Sequence, residues 1–321
     1  MVDVPLFHLD RAFTYRVPER LRGSVWLGTR VKVPFGSRRR VDGWVVGWTE
    51  ELPEDARDLE RVVSPVPAFD AEGLDLLHWV AERYAGTLSD VLRLAVPPRV
   101  AAVERDLEPP EGPPAPIAGG AAAATRGATE AQPDRLVELI GRGWAGAAYW
   151  RPLPGEDRSA RVIAMIEAAL ARGRGAIVVA PEVAAGSAVA DAVRKHFPDA
   201  ADLSSDLSER RRYRAWTDLR LGRRQVAIGG RSAVLAPVRR LGCVVVDDEA
   251  NAAHKEQRTP RFHAREVALR RAARGRALCV LTGTVPSPEA LAAMQAGQCR
   301  LLTPDRAAER AARPLVEVVD P

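Results

Sequence analysis

Three acids in succession, Asp247, Asp248 and Glu249, close an unbroken run of small and apolar residues from Gly242 to Val246. Such a run, without polar alternation, predicts a strand buried on both faces of a parallel sheet. The acids then sit at its carboxyl end. In open α/β sheets that edge binds ligands, and in nucleotide hydrolases a carboxylate there holds Mg²⁺ against the phosphates. Asp247 and Asp248 are the candidate catalytic pair. Acids are also ordinary loop formers after a buried strand, so on their own they leave both readings open.

A phosphate-binding loop would have to stand upstream, after the strand Ala147 to Trp150. It needs glycines that let backbone N–H groups approach phosphates, a Lys for the β- and γ-phosphates, and a Ser or Thr on Mg²⁺. The chain reads Arg151-Pro-Leu-Pro-Gly-Glu-Asp-Arg-Ser159. Gly155 and Ser159 fit, Arg158 stands for the Lys, and Asp157 replaces the preceding glycine. Pro152 and Pro154 remove two donors. Glu156 and Asp157 put negative charge where a triphosphate would lie. An ordinary loop without phosphate is the expectation, with ATP and Mg²⁺ doubtful and no other cofactor in this chain.

Beyond the acids runs Asn251 to Arg265, NAAHKEQRTPRFHAR. Its bases interleaved with an aromatic suggest backbone contacts to nucleic acid. Lys255, Arg261 and Arg265 are the candidates there, with Arg231 on the loop after an earlier strand. A second basic cluster, Arg38, Arg39 and Arg40, follows Gly36 near the amino terminus, and its alternative is a solvated hairpin tip. The loops at strand carboxyl ends are the elements that must place these side chains.

Those elements follow from the pattern. Residues 1–66 carry short β-branched and aromatic segments between Pro, Gly and charged clusters, predicting a small β unit. Trp44, Val46 and Trp48 alternate and are expected to pack inward. Asp70 to Pro97 reads as helical, with His78 expected within its apolar stripe. The tract 106–134 is Pro, Gly and Ala rich and reads as a linker. From 135 onward short strands alternate with helical runs, predicting a parallel α/β sheet covered on both faces. The expected division is 1–105, 106–134 and 135–321.

The segment DDEANAAHKEQRTPRFHARE resembles the one after the Walker B strand in the PriA replication restart helicase family, including its degenerate branch in actinobacteria. Lys255, Gln257, Pro260, Arg261, Phe262, His263, Ala264 and Arg265 fall on that pattern. Asp10 to Pro18, Thr29 to Gly36 and Gly43 to Gly47 resemble its amino-terminal domain, which captures a 3′ strand end. The resemblance implies a pocket at Phe13, Thr14 and Gly36. Thr14 stands where the family has an acid, and a hydroxyl accepts a hydrogen bond more weakly than a carboxylate. Gly230 to Ala233, Ala180 to Glu182 and Thr282 to Ser287 resemble softened helicase motifs of a first RecA-like lobe. Asp248 stands for the usual catalytic Glu and Ala250 for the usual His. The resemblance implies a DNA-fork-binding scaffold of primosome assembly that lacks helicase activity, working with primosome proteins and the replicative-helicase loading machinery. The family's second lobe and zinc sites would lie beyond Pro321.

With 321 residues, 46% hydrophobic, the chain has material for two cores. Its net charge of +5 favours an anionic partner. No apolar run approaches a bilayer's width and no leader is evident, so a cytoplasmic location without membrane contact is expected. Cys243, Cys279 and Cys299 lack metal-ligand spacing. Two alternatives stay open: an active ATP-dependent 3′ to 5′ helicase, and a protein-interaction module without DNA binding.

Overall fold

The computed structural model describes residues 1–313 apart from 5, 38, 106, 108–134 and 182–185. Arg38, Glu182 and the expected linker apart from Leu107 therefore lie outside the described residues; Leu107 is buried in the core rather than part of a linker. Two sheets organise the rest, one antiparallel and three-stranded, one parallel and seven-stranded.

The small sheet has the order β2-β1-β3, with β1 at Arg30–Phe35, β2 at Arg39–Trp44 and β3 at Arg61–Val62. Alternation along β1 buries Val31 and Val33 against Val2, Val25 and Leu59. The FTYRV segment is not a ladder strand: Phe13, Tyr15 and Val17 pack on this cluster at every second position, with a single bridge from Arg16 to Asp58. Trp44 is buried as expected, but Trp48 is 63% exposed. β2 ends at Trp44, so the alternation that aims its side chains inward no longer governs Trp48.

Two helices follow, α1 at Ala71–Arg83 and α2 at Leu88–Ala95. Asp70 caps α1 by accepting from the Gly73 amide, and Thr87 caps α2 in a reciprocal box with Asp90. Leu74, Leu77, Val80 and Ala81 mark the buried stripe of α1, and His78 lies off it, exposed. Its expected packing role is corrected on that ground. A short α3 at Ala101–Glu104 ends this region.

The larger lobe alternates as its pattern predicts: α4 Arg135–Gly141, β4 Gly146–Trp150, α5 Arg158–Ala171, β5 Gly175–Val179, α6 Ala188–His196, β6 Ala201–Asp202, α7 Glu209–Arg220 and β7 Val226–Gly229. It continues with β8 Leu241–Val246, α8 Ala264–Gly275, β9 Leu278–Thr282, α9 Pro288–Gln295, β10 Arg300–Leu302 and α10 Arg306–Ala311. The strand order is β10-β4-β9-β8-β5-β7-β6, with every pairing parallel. β8 is central, and Cys243 to Val246 are wholly buried. Removing each such side chain from water contributes about 1.5–3 kcal/mol. This is the single RecA-like α/β lobe that the motifs imply.

One apolar cluster joins α1 and α2 to the face of the sheet carrying Val244 and Val246. Polar ties reinforce the seam. Buried Arg220 donates to the Pro67 carbonyl at 2.7 Å and to Asp70 at 3.1 Å. Glu104 accepts from Ser64 at 2.6 Å, from Arg99 and from the Tyr213 hydroxyl of α7. Gly86, between α1 and α2, lies so close to Pro260 that a Cβ there would come within 2.7 Å of its ring. Only a residue without a side chain fits.

Candidate functional site

The end of β8 builds the site. Asp247 is 2% exposed, and its amide donates to the Val179 carbonyl at 2.9 Å, extending the β5 pairing. Its carboxyl is raised to about 6, first by burial and then by the nearby Asp248, against the opposing pull of Arg158. The Arg158 guanidinium approaches Asp247 Oδ1 at 3.2 Å. The approach is an ion pair without hydrogen-bond alignment, since Oδ1 has no aligned donor. Asp248 takes a left-handed conformation, φ +50°, that aspartate tolerates better than most residues. Its carboxylate accepts from the Asn251 side-chain amide at 2.9 Å.

The loop before α5 fills its own donors. Glu156 accepts from the Leu153 amide at 2.7 Å and pairs with Arg161 at 3.4 Å. Asp157 caps α5 by accepting from the Ser159 amide at 2.9 Å, which holds its carboxyl below the usual range. Ser159 itself is buried, its hydroxyl reaching the Ala188 carbonyl at 3.4 Å. Between loop and strand end lies an open cleft of about 280 Å³ bordered by Gly155, Arg158, Asp248 and Thr284. The structure brings Gly155, Arg158 and Asp248 to one cleft and Asp247 against Arg158, while the Ser159 hydroxyl turns to the Ala188 carbonyl. The direct pairing of Arg158 with Asp247 was not legible, because nothing in the linear order links residues so far apart.

The third acid has a different fate. Glu249 is fully buried and accepts from Arg265 Nη1 at 2.8 Å, the Ser287 amide at 2.7 Å and the Ser287 hydroxyl at 3.0 Å. Arg265 is 3% exposed and also meets Glu266 at 3.1 Å and Glu289 at 3.2 Å. Its expected role at a DNA backbone is corrected: the guanidinium is consumed by three carboxylates and cannot reach a phosphate. Phe262 is likewise core, with no exposed surface, rather than a stacking platform.

What remains of that loop is a small basic surface. Lys255 is exposed, its ammonium 5.4 Å from the centre of the Tyr84 ring, and Arg261 is exposed beside buried Phe262. Tyr84, just after α1, is the aromatic neighbour of Lys255 that the linear pattern did not mark, its hydroxyl accepting from the His263 amide at 3.4 Å. Arg231 is half-buried and donates to Glu256 at 2.8 Å. Burial pushes the Glu256 carboxyl up, but Arg231 and the Arg258 and Gln257 amides outweigh it and hold it low. Behind this loop His254 is buried, its Nε2 donating to the Asp247 carbonyl at 2.7 Å, and burial lowers its basicity.

In the small sheet the structure brings Phe13 edge-on to Phe35, ring centres 5.5 Å apart, with the Arg11 guanidinium 4.9 Å over Phe13. Gly36 follows, exposed and at φ +64°, its carbonyl accepting from Arg57 at 2.6 Å. Thr14 is exposed alongside Phe13. Arg39 and Arg40 are exposed, and Arg40 meets Glu60 at 2.6 Å while staying largely in water. Arg30 and Lys32 instead share Asp42, which offsets their charge.

The family description for the PriA 3′ DNA-binding domain (3′BD) matches residues 1–97. The probable replication restart protein PriA of Mycobacterium tuberculosis is 37% identical over 332 residues, covering 100% of this chain and 48% of that protein. The replication restart protein PriA of Treponema pallidum is 33% identical over 326 residues, covering 99% and 48%. The chain is similar to PriA proteins along its whole length, and its residues 1–97 match their 3′ DNA-binding domain. It spans about half the length of these curated relatives. Among solved structures, the Hef helicase domain of Pyrococcus furiosus overlays 58% of this chain and 41% of that one, at 15% identity and a TM-score of 0.39. A DNA-binding domain at residues 1–97 of a PriA relative gives the Phe13–Gly36 tip its context. Among the described residues, no helix is long and apolar enough to cross a membrane.

Proposed function

We propose that this PriA-like chain grips DNA at abandoned replication forks as a scaffold for primosome assembly, without turning over ATP. The observation that carries the reading is the ion pair of Arg158 with Asp247, beside a loop whose amides are satisfied by Glu156 and Asp157. A guanidinium occupies the position beside the acid where a metal's charge is required, and carboxylates hold donors that a triphosphate would use. The residues present therefore do not fit a Mg²⁺–nucleotide pair. Burial adds to this, because it disfavours the ionised carboxylate that a cation would need and raises the Asp247 carboxyl to about 6.

DNA would meet the tip at Phe13, Thr14, Gly36, Arg39 and Arg40, and the lobe at Lys255 and Arg261. Aromatic faces next to exposed cations suit single-stranded DNA, whose bases stack and whose phosphates pair. Binding of primosome proteins and of the machinery that loads the replicative helicase is part of the same proposal, in a cytoplasmic setting.

ATP turnover measured with forked DNA tests the reading. The expected rate equals background, and it stays there in Asp247→Asn. A fork-stimulated rate that falls in both Asp247→Asn and Arg158→Ala would establish the motor instead. Fluorescence anisotropy with the same fork supplies the second arm: no binding at low salt would leave a protein-interaction module.

A further inference from the structure

The amino edge of the seven-stranded sheet, opposite the acids of β8, carries a second basic feature. Three adjacent strands, β5, β8 and β9, are entered by loops that end in arginine: Arg174 directly before β5, Arg240 directly before β8, and Arg276 two residues before β9. Because β8 lies between β5 and β9, spacing along the chain becomes side-by-side placement in space. Arg172, at the end of α5, joins them.

These residues border a cavity of about 640 Å³ between α1 and the lobe. Its lining includes eight arginines against two carboxylates, Asp70 and Glu72. Asp70 is engaged by Arg220. Phe69, Leu76 and Leu235 supply an apolar floor. Its size falls in the range of small-ligand sites, and its lining is far more cationic than theirs usually is.

The arginines crowd one another. The Arg174 guanidinium donates to the Gly275 carbonyl at 2.6 Å, while its Nε is buried without a hydrogen-bond partner. Burial lowers its basicity, and Arg172, Arg240 and Arg276 lower it further with no opposing carboxylate. Arg240 and Arg276 both hold left-handed conformations, each at φ +48°; that of Arg276 closes α8, its amide donating to the Ala272 carbonyl. Like charges placed together in a concavity call for an anion.

We infer that this amino-edge cavity binds a ligand carrying clustered phosphate groups, held by Arg172, Arg174, Arg240 and Arg276. Guanidinium groups suit phosphate oxygens because each offers two parallel donors. The phosphates could belong to a free nucleoside polyphosphate or to the backbone at the end of a nucleic-acid strand. The site is remote from the loop at Gly155 and stands independently of the fork-binding reading.

Calorimetric titration of the full chain with inorganic tripolyphosphate, ADP and a short single-stranded oligonucleotide tests it. The key variant is Arg240→Asn with Arg276→Asn, since asparagine tolerates left-handed backbone and both residues are exposed. Tripolyphosphate is expected to bind, and the double variant to weaken it by about tenfold or more with a shallower salt dependence. ADP competing with tripolyphosphate assigns a free nucleotide, and competition by the oligonucleotide alone assigns a strand end. Should the double variant fail to fold, Arg172→Glu, also exposed, serves in its place with the same expectation. No tripolyphosphate binding at low salt, or binding that these variants leave unchanged, overturns the site. Arg39→Glu with Arg40→Glu separates the two proposals, because it should weaken fork binding and leave tripolyphosphate binding intact.

Discussion

The two edges of the parallel sheet handle charge in opposite ways. At the carboxyl edge nearly every ionic group has an intramolecular counterpart: Arg158 on Asp247, Arg265 on Glu249, Arg231 on Glu256, Arg161 on Glu156. At the amino edge, Arg172 and Arg174 donate to the Gly141 and Gly275 carbonyls rather than to carboxylates, and Arg172, Arg240 and Arg276 place like charge beside Arg174. An edge that neutralises itself has little electrostatic need of a ligand, whereas one that gathers like charges is prepared for an anion. The proposed loss of ATP use would thus coincide with the edge whose charges are satisfied from within.

The sharpest way to break this contrast is to unbalance the self-neutralised edge. Arg265→Ala strands Glu249 at zero exposure and should cost on the order of 3–5 kcal/mol, read from denaturant unfolding midpoints. A loss below about 1 kcal/mol would mean that the edge is not held by its internal pairs.

Asp247 gives the next largest effect, with a definite sign. Its folded-state value of about 6 lies above the unfolded one, so the folded protein binds the extra proton. The stability this provides is complete below about pH 4 and disappears as pH rises through about 6, on the order of 3 kcal/mol. Asp247→Asn should therefore gain on the parent protein between those values, measured as the difference of their unfolding free energies across pH. His263 pulls the opposite way. Burial, then Arg265, depresses it to about 4, so acidification from about pH 6.5 to 4 costs stability, and His263→Gln should flatten that limb.

Binding sharpens the comparison at the exposed sites. Lys255→Glu with Arg261→Glu should weaken fork affinity by about tenfold and lower the salt slope by roughly one for each phosphate left without its cation. Arg231→Gln, whose charge is already spent on Glu256, should change affinity far less. Anisotropy at two salt concentrations distinguishes them. The smallest expected effect is Thr87→Ala, about 1 kcal/mol from loss of the α2 capping box, without change in affinity.

Much of this architecture was legible in the chain. The buried run before Asp247 and the alternation of strand and helix have local signatures that the fold respects. What escaped did so for identifiable reasons. Arg265 has the look of a surface cation at a helix start, and only the three-dimensional meeting of Glu249, Glu266 and Glu289 buries it. β6 and β10 span 2 and 3 residues, too few to show any period. Phe13 to Val17 alternates as a strand does, yet its backbone gains no ladder partner beyond one bridge. Tyr84 acquired its place only when Gly86 let the helical pair settle onto Pro260.

That settling has a mechanical consequence. Because α1 and α2 share one interior with the lobe, and Gly86 leaves no gap at Pro260, this helical pair is coupled to the larger body without an intervening joint. A load on α1 or α2 would pass straight to the loop that carries Lys255 and Arg261.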